Sequence, residues 1–245
     1  MKAIISDVHA NLEALEAVLA DIAELGIEEI YCLGDIVGYG PNPREVIDLV
    51  MEHCQLVLLG NHDEAVRIGP VGFTPNAARA VWWTRKELQD TKQPAREGEA
   101  RWKFLAGLPQ THEENDMLFV HASPRDPVRE YIFPEDVYNS AKMYDIFNRF
   151  KRCCFVGHTH VPGVFIEGGA FKSPVEFNDE YKIGKKKILV NVGSVGQPRD
   201  GDWRSCYVIL EEKSIHFRRV EYDIDATMAK VKQQPDLGNF VDRNG

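Results

Sequence analysis

Residues 1–35, MKAIISDVHANLEALEAVLADIAELGIEEIYCLGD, decide the fold class. The run Ala3-Ile4-Ile5-Ser6 is short, apolar and closed by Asp7, the pattern of a buried strand. From Asn11 to Leu25 the residues Leu12, Leu15, Val18, Leu19 and Ile22 recur at three- and four-residue spacing, which gives a helix one core face. Asn11 is positioned to cap its first turn and Gly26 to stop it. EIYCL (29–33) then reads as a second strand that ends at Gly34-Asp35. Strand, helix, strand with polar residues at each exit predicts an α/β sheet with its functional groups at the C-terminal strand ends.

The pattern continues outward. Residues 44–53 repeat the helical spacing with Val46, Ile47, Leu49 and Val50, and LVLL (56–59) is a third strand stopping at Gly60-Asn61. Residues 64–116 change character, with helical stretches at 74–88 and 99–108 around a polar segment, so a helical cap is expected within one domain spanning 1–245. Ala78, Val81, Trp82 and Leu88 can share one helix face, leaving Trp82, Trp83, Trp102 and Phe104 as either core or a base-stacking surface. MLFVH (117–121), CCFVGHTH (153–160), GVFIEG (163–168), KILVNVGS (187–194), CYVILEE (206–212) and IHFRRVEY (215–222) are strand-like, with little helix between them. Gly168-Gly169 and the lysines at 185–187 read as hairpin turns, and residues 225–245 as one helix that frays.

Composition limits the function. The 245 residues carry 29 Lys+Arg against 38 Asp+Glu, a net charge of −9, which disfavours a nucleic-acid coating surface. Cys32, Cys54, Cys153, Cys154 and Cys206 are odd in number and lack CxxC spacing, so neither a disulfide framework nor a thiolate zinc site is expected. Adjacent Cys153 and Cys154 face opposite sides of a strand and read as small core residues. No apolar run approaches membrane-span length, and a cytoplasmic location is expected.

Five of the eight histidines fall at strand exits. Asp7 and His9 lie two apart after the first strand, where alternation would aim both at one face. Alone this pair reads equally as a strand-end Asp capping the next helix. Asp35 follows Gly34, Asn61 and His62 follow Gly60, His121 ends MLFVH, and His158 and His160 follow Gly157. So many imidazoles buried together each need a partner for a ring nitrogen, and a metal supplies one. Oxygen and imidazole donors without thiolate suit Mn, Fe, Zn, Co or Ni. His53, His112 and His216 lack such settings and are assigned to surface or packing.

In order and approximate spacing, Asp7-x-His9, Gly34-Asp35, Gly60-Asn61-His62-Asp63, His121 and Gly157-His158-x-His160 resemble the calcineurin-like metallophosphoesterases. GDIVGYGPNPREVIDL, VHASPRDPVREYI and NVGSVGQPRDGD further resemble the small stand-alone prokaryotic members. The resemblance implies a four-layer αββα sandwich of two mixed β-sheets flanked by helices. It also implies two divalent transition-metal ions: Asp7, His9 and His160 for one, Asn61, His121 and His158 for the other, with Asp35 bridging. His62 would protonate the leaving oxygen or hydrogen-bond the phosphoryl group, while Asp63 orients a neighbour or faces solvent.

Two cations roughly 3.5–4 Å apart lower the pKa of a shared water and bind phosphoryl oxygens, so the expected reaction is in-line phosphoester hydrolysis. Arg125 and Arg199 are candidate phosphate binders; alternatively Arg125 pairs with Asp126 or Glu130, and Arg199 with Asp200 or Asp202. Protein-phosphatase and symmetrical dinucleoside-tetraphosphatase branches carry Asp-Arg after the Gly-Asp motif, where this chain has Gly38-Tyr39. The departure lowers both readings without excluding a tetraphosphate substrate, and a phosphodiesterase acting on a small phosphoester, a nucleotide among the candidates, is preferred because His62 can supply the proton that an alkoxide leaving group needs. A dinucleoside polyphosphate hydrolase, a Ser/Thr-phosphatase-like enzyme and a metal-binding regulatory or scaffold module are the alternatives.

Overall fold

The structure is a computed structural model and describes residues 1–90 and 94–237. One six-stranded sheet holds β1 (Lys2–Ile5), β2 (Ile30–Cys32), β3 (Leu56–Val57), β9 (Glu180–Lys182), β11 (Ser205–Leu210) and β12 (Ser214–Val220), in the order β3-β2-β1-β11-β12-β9. The other holds β4 (Thr111–Glu114), β5 (Met117–Val120), β6 (Cys153–Val156), β7 (Gly163–Ile166), β8 (Ala170–Lys172) and β10 (Ile188–Asn191), in the order β4-β5-β6-β10-β7-β8. Both are mixed: β3, β2 and β1 run parallel before antiparallel β11, and β5, β6 and β10 run parallel before antiparallel β7.

Side-chain alternation makes the layers. Ile4 faces the second sheet and packs in one core with Phe119, Phe155, Val190 and Val208. Its neighbours Ala3 and Ile5 point the other way, into a core shared with the helices α1 (Leu12–Glu24) and α2 (Pro43–His53) through Leu15, Val18, Ile22, Val46 and Ile47. The second sheet does the same: Cys153 and Phe155 face inward, while Cys154 and Val156 face outward onto Met143, Ile146 and Phe147. Each fully buried Ile or Phe contributes on the order of 1.5–3 kcal/mol, so these opposed faces fix the register. The result is the four-layer αββα sandwich, with the two cysteines on opposite faces as their adjacency requires.

Asn11 caps α1, its Oδ1 accepting the Ala14 N–H at 3.2 Å, and Gly26 follows with φ 67°. The helices α3 (Asn61–Ile68), α4 (Pro75–Gln89) and α5 (Ala95–Gly107) join the same outer core through Val66, Val81, Leu88 and Leu105. Trp102 and Phe104 pack against it, and Trp83 is buried beside Val231 and Leu237. Trp82 is exposed, not on the core face with Val81 and Leu88, because Ala77, Ala80, Val81, Thr84 and Leu88 form that face.

Three details differ from the sequence reading. The expected helical cap at 64–116 ends early, because Thr111–Glu114 within those bounds is strand β4, paired antiparallel with β5. A helix, α6 (Ser140–Phe147), interrupts the β-rich half, capped by Asn139 and buried through Met143, Ile146 and Phe147. Lys185–187 is not a hairpin turn, since β9 and β10 belong to different sheets. Instead Lys187 Nζ donates to the carbonyls of Phe147 (2.8 Å) and Phe150 (2.9 Å), which answers acceptors at and beyond the end of α6. Gly168-Gly169 does form the β7–β8 turn. The last helix, α7, covers Ile224–Lys232; the expected fraying after 237 and part of the polar stretch, 91–93, lie outside the described residues. Among the described residues no helix is long and apolar enough to cross a membrane.

Candidate metal centre

The strand exits turn sharply. Asp7, His9, Asp35, His158 and His160 all adopt left-handed backbone, with φ between 49° and 66°. Such conformations are uncommon outside glycine and are tolerated best by Asp, Asn and His. They also correct the reason for pairing Asp7 with His9: β1 ends at Ile5, so both residues lie beyond the strand and meet through a left-handed turn, not through alternation. The turn is tied down by Asp7 N–H to Gly34 O (3.0 Å), His9 N–H to Asp35 O (2.9 Å) and Ser194 Oγ–H to Asp7 O (2.8 Å). Close approach explains two glycines: a Cβ on Gly60 would lie 2.2 Å from Asp35 Oδ1, and one on Gly157 2.2 Å from Asp7 Oδ2.

Hydrogen bonds at the periphery determine what the ring nitrogens do at the centre. A carbonyl can only accept, so His9 Nδ1 donates to Val37 O (3.2 Å), His121 Nδ1 to Leu33 O (3.1 Å), His160 Nδ1 to Gln197 O (2.5 Å) and His158 Nε2 to Arg129 O (3.2 Å). In each neutral ring the other nitrogen is then a lone pair. Those lone pairs face one another: His9 Nε2 lies 3.1 Å from His160 Nε2, and His121 Nε2 lies 3.2 Å from both His158 Nδ1 and Asn61 Oδ1. Carboxylates add more acceptors. Asp7 Oδ1 is 3.2 Å from His160 Nε2, and Asp35 Oδ2 sits between the groups, 3.6 Å from His9 Nε2 and 3.5 Å from His121 Nε2.

Among the described residues, Asp7 Oδ1 is buried without a hydrogen-bond partner. Three groups, Asp7–His9–His160, Asp35–His121–His158 and His9–Asp35–His62, thus each bring one possible ligand atom per residue within 4.8 Å of one another, and in the first two the rings' outer nitrogens are already committed to carbonyls. That arrangement repels itself unless cations stand between the atoms.

The proton affinities express the same deficit. Burial pushes His9 well below its ordinary value and His158 down to about 3, and it lowers His160 together with the Arg199 charge. Burial also opposes the charges of Asp7 and Asp35, yet the His160 ring beside Asp7 and the His121 ring beside Asp35 hold both carboxyls below the usual range. His121 is the exception: against burial, Asp35 raises it to about 9.

His62 sits beside the centre. Its backbone N–H donates to Asp35 Oδ1 (2.8 Å), and its ring lies 4.6 Å from Tyr39 and 4.9 Å from both His9 and Phe73. Burial pushes it down to about 4. A Cβ on Gly38 would fall 2.3 Å from His62 Nδ1, so this ring position requires the glycine and would not admit Asp there. The departure Gly38-Tyr39 is thus coupled to the placement of His62. Asp63 does not face solvent. Its Oδ1 accepts from Ile36 N–H (3.0 Å) and Val37 N–H (3.2 Å), and its Oδ2 from Gly60 N–H (3.0 Å), tying the exits of β2 and β3 together. Burial, then the Asp35 charge, raise its pKa to about 7.

A cleft of about 440 Å³ opens over His62, Asn61 and His158. Arg199 lines it, with Nη2 donating to Gln197 Oε1 (2.7 Å) and a buried Nε that has no partner among the described residues. Its expected rivals are engaged elsewhere: Asp200 with Arg219, and Asp202 with Arg204. Arg125 is not brought to the cleft. It pairs with Glu130 (2.7 Å) and Asp145 (3.4 Å), so the salt-bridge reading replaces its candidacy as a phosphate binder. None of Trp82, Trp83, Trp102 and Phe104 lines the cleft; Tyr39, Phe73, Tyr131 and Phe133 do, together with Arg129. Tyr39 lies in the quoted stretch GDIVGYGPNPREVIDL, and Arg129 and Tyr131 lie in VHASPRDPVREYI, whereas Phe73 and Phe133 fall outside both and are gathered by tertiary structure. His53, His112 and His216 lie outside the centre, His112 beside Tyr31 and Phe119, and His216 bonded to Ser214.

The comparisons agree with this geometry. Residues 1–214 match the model of the calcineurin-like phosphoesterase superfamily domain, and the chain belongs to that superfamily. It is 42% identical over 241 residues to the uncharacterized protein MJ0912 of Methanocaldococcus jannaschii, covering 94% of this chain and 91% of that one. Among solved structures it is similar to a metallophosphoesterase from Sphaerobacter thermophilus, with a TM-score of 0.80 and 37% identity over 100% of this chain and 98% of that one. The hypothetical protein PH1004 of Pyrococcus horikoshii OT3 shares the fold, with a TM-score of 0.75 at 20% identity over 100% and 99% of the two chains.

Proposed function

We propose that this chain is a dinuclear metal-dependent phosphoesterase that hydrolyses phosphodiester bonds in a small substrate. The observation that carries the reading is the pair of facing acceptor clusters, each with its outer ring nitrogens already committed to backbone carbonyls. Asp7, His9 and His160 would hold one divalent ion, Asn61, His121 and His158 a second, and Asp35 Oδ2 would reach both. Divalent ions bound there would lower the pKa of a coordinated water and neutralise phosphoryl charge. The donor set of carboxylate, amide and imidazole suits Mn, Fe, Zn, Co or Ni.

The protein's own groups do the rest. His62 lies at the cleft floor, where its ring can donate a hydrogen bond to the phosphoryl group or a proton to the leaving oxygen. Arg199, which lines the cleft and is held by Gln197, can bind a non-bridging phosphate oxygen. Both roles act on a local field opposite in sign to the net charge of −9. The alkoxide leaving from a diester needs a proton that His62 would be placed to give, as does one leaving from a monoester, so comparison of the two substrate classes decides between them.

The test is hydrolysis of bis(p-nitrophenyl) phosphate and p-nitrophenyl phosphate by the Mn²⁺-loaded protein. Turnover of the diester that is lost on chelation supports the reading, and preference for the monoester would shift it to a phosphatase. Metal bound at both clusters without turnover of any phosphoester would leave a regulatory or scaffold role instead.

A further inference from the structure

The aromatic rings of the cleft form an ordered row. Tyr131 stacks on His158 with centroids 3.8 Å apart and planes 27° apart, and Phe133 lies parallel to Tyr131, at 5.4 Å and 2°. The row therefore runs outward from a candidate ligand ring to the cleft wall. Neither outer ring is buried: Tyr131 is 44% exposed and Phe133 45%. Folding alone gives no reason to expose two large parallel rings in a concave site next to an anion-binding centre. They lie outside the three sandwich cores, which are filled by other residues.

The geometry points to a stacking platform for a nucleobase: the Tyr131–Phe133 row would hold the base of a nucleotide phosphoester whose phosphate lies at His62 and Arg199. This rests on the phosphoesterase reading and narrows its substrate class. Three features select the occupant. The cleft volume of about 440 Å³ lies within the range of small-ligand sites. Arg199 and the half-exposed rings line the same cleft, the first supplying a cation for the phosphate and the rings an apolar, planar surface. A phenyl ring bonded directly to a phosphate oxygen would be confined near His158, where Tyr131 already covers the imidazole; a base set apart by a sugar can extend to Phe133. Stacking is tolerant of base identity, because every base has a π-face.

Calorimetric binding to the Mn²⁺-loaded protein tests the platform without relying on turnover. AMP is expected to bind roughly 5- to 150-fold more tightly than ribose 5-phosphate, the range set by one base–aromatic stack. In Phe133→Ala the ratio of the two affinities should fall toward one, and in Phe133→Tyr it should be retained. Circular dichroism and metal content of both variants would separate loss of the ring from misfolding. Equal affinities for AMP and ribose 5-phosphate in the wild type would overturn the proposal. So would a preference for AMP that survives in Phe133→Ala, or phenyl phosphate binding as tightly as AMP. If bis(p-nitrophenyl) phosphate is hydrolysed while AMP and ribose 5-phosphate bind equally, the reaction class stands and the platform falls. If no phosphoester is hydrolysed but the Phe133-dependent preference is present, the converse holds.

Discussion

The two ends of β1 and β2 use the same kinds of side chain to opposite effect. At the start of the strands Lys2 Nζ donates to Glu29 Oε1 (2.6 Å), Glu114 Oε2 (2.6 Å) and Tyr31 O–H (2.7 Å), so three ammonium hydrogens meet three acceptors. Against burial, the two glutamates hold the Lys2 charge firmly in place. Past the far ends, Asp7 and Asp35 meet imidazoles whose donor hydrogens already point away, and acceptors are left facing acceptors. Both ends concentrate charge, but among the described residues the second leaves Asp7 Oδ1 buried without a hydrogen-bond partner. Incomplete satisfaction, more than the presence of acids and bases, marks the functional end.

Removing the carboxylate proposed to bridge the two ions should produce the largest effect. Asp35→Asn is expected to reduce phosphoester hydrolysis on the order of 10³-fold or more. Mn²⁺ should raise the melting temperature of the wild type by mass action, and this rise should shrink in the variant. Metal analysis and thermal scans would check both; unchanged metal content would remove Asp35 from the ligand set. His62→Ala should follow, with a loss of about 10²–10³-fold in kcat while metal content stays at the wild-type level. Loss of metal together with activity would make His62 part of the metal scaffold.

At the satisfied end, Lys2→Met should lower stability by about 1–3 kcal/mol, because it leaves two carboxylates beside each other without their cation. Denaturant unfolding would measure it, and the Mn²⁺-dependent shift should persist. If that shift disappeared as well, the two ends would not be independent. Arg199→Gln sits lower still in the order, with KM for a diester raised about tenfold and little change in kcat. A fall in kcat alone would mean that Arg199 meets only the transition state.

The same contrast explains which parts were legible in the sequence. Asp7, His9, Asp35, Asn61, His121, His158 and His160 each follow an apolar run, so strand exits and motif spacing single them out from the sequence alone. Layering was legible for the same reason, since Cys153 and Cys154 must point to opposite faces. The manner of convergence was not, because left-handed turns at Asp7 and His9 leave no periodic trace. Nor was the choice between two partners for one arginine: Arg125 finds Glu130 five residues on, whereas Arg199 passes over Asp200 for Gln197. Tyr131 and Phe133 stand in an irregular segment between β5 and α6, where neither helical nor strand spacing assigns a face. α6 itself was hidden among strand-like runs, although Asn139 with Met143, Ile146 and Phe147 is a cap followed by a helical stripe.

The smallest effect concerns a charge that is satisfied but far from either cluster. Asp21 on α1 accepts from Tyr207 O–H (2.6 Å) and Arg218 Nη2 (2.5 Å), joining the helix to β11 and β12. Burial works against its charge, but these two bonds hold the carboxyl below its ordinary value. A folded pKa below the unfolded one, near 4 for an aspartate, means that the folded protein binds fewer protons through that interval. The contribution is therefore complete above about pH 4 and lost as the pH falls through the lower folded value. Arg218 is 40% exposed, so solvent screening limits the gain to under about 1 kcal/mol. Asp21→Asn should accordingly narrow the stability difference from wild type as the pH is lowered, and salt should narrow it at neutral pH. A difference that stayed constant from pH 7 to pH 2 would assign the contribution of Asp21 to the hydrogen bond with Tyr207 and not to its charge.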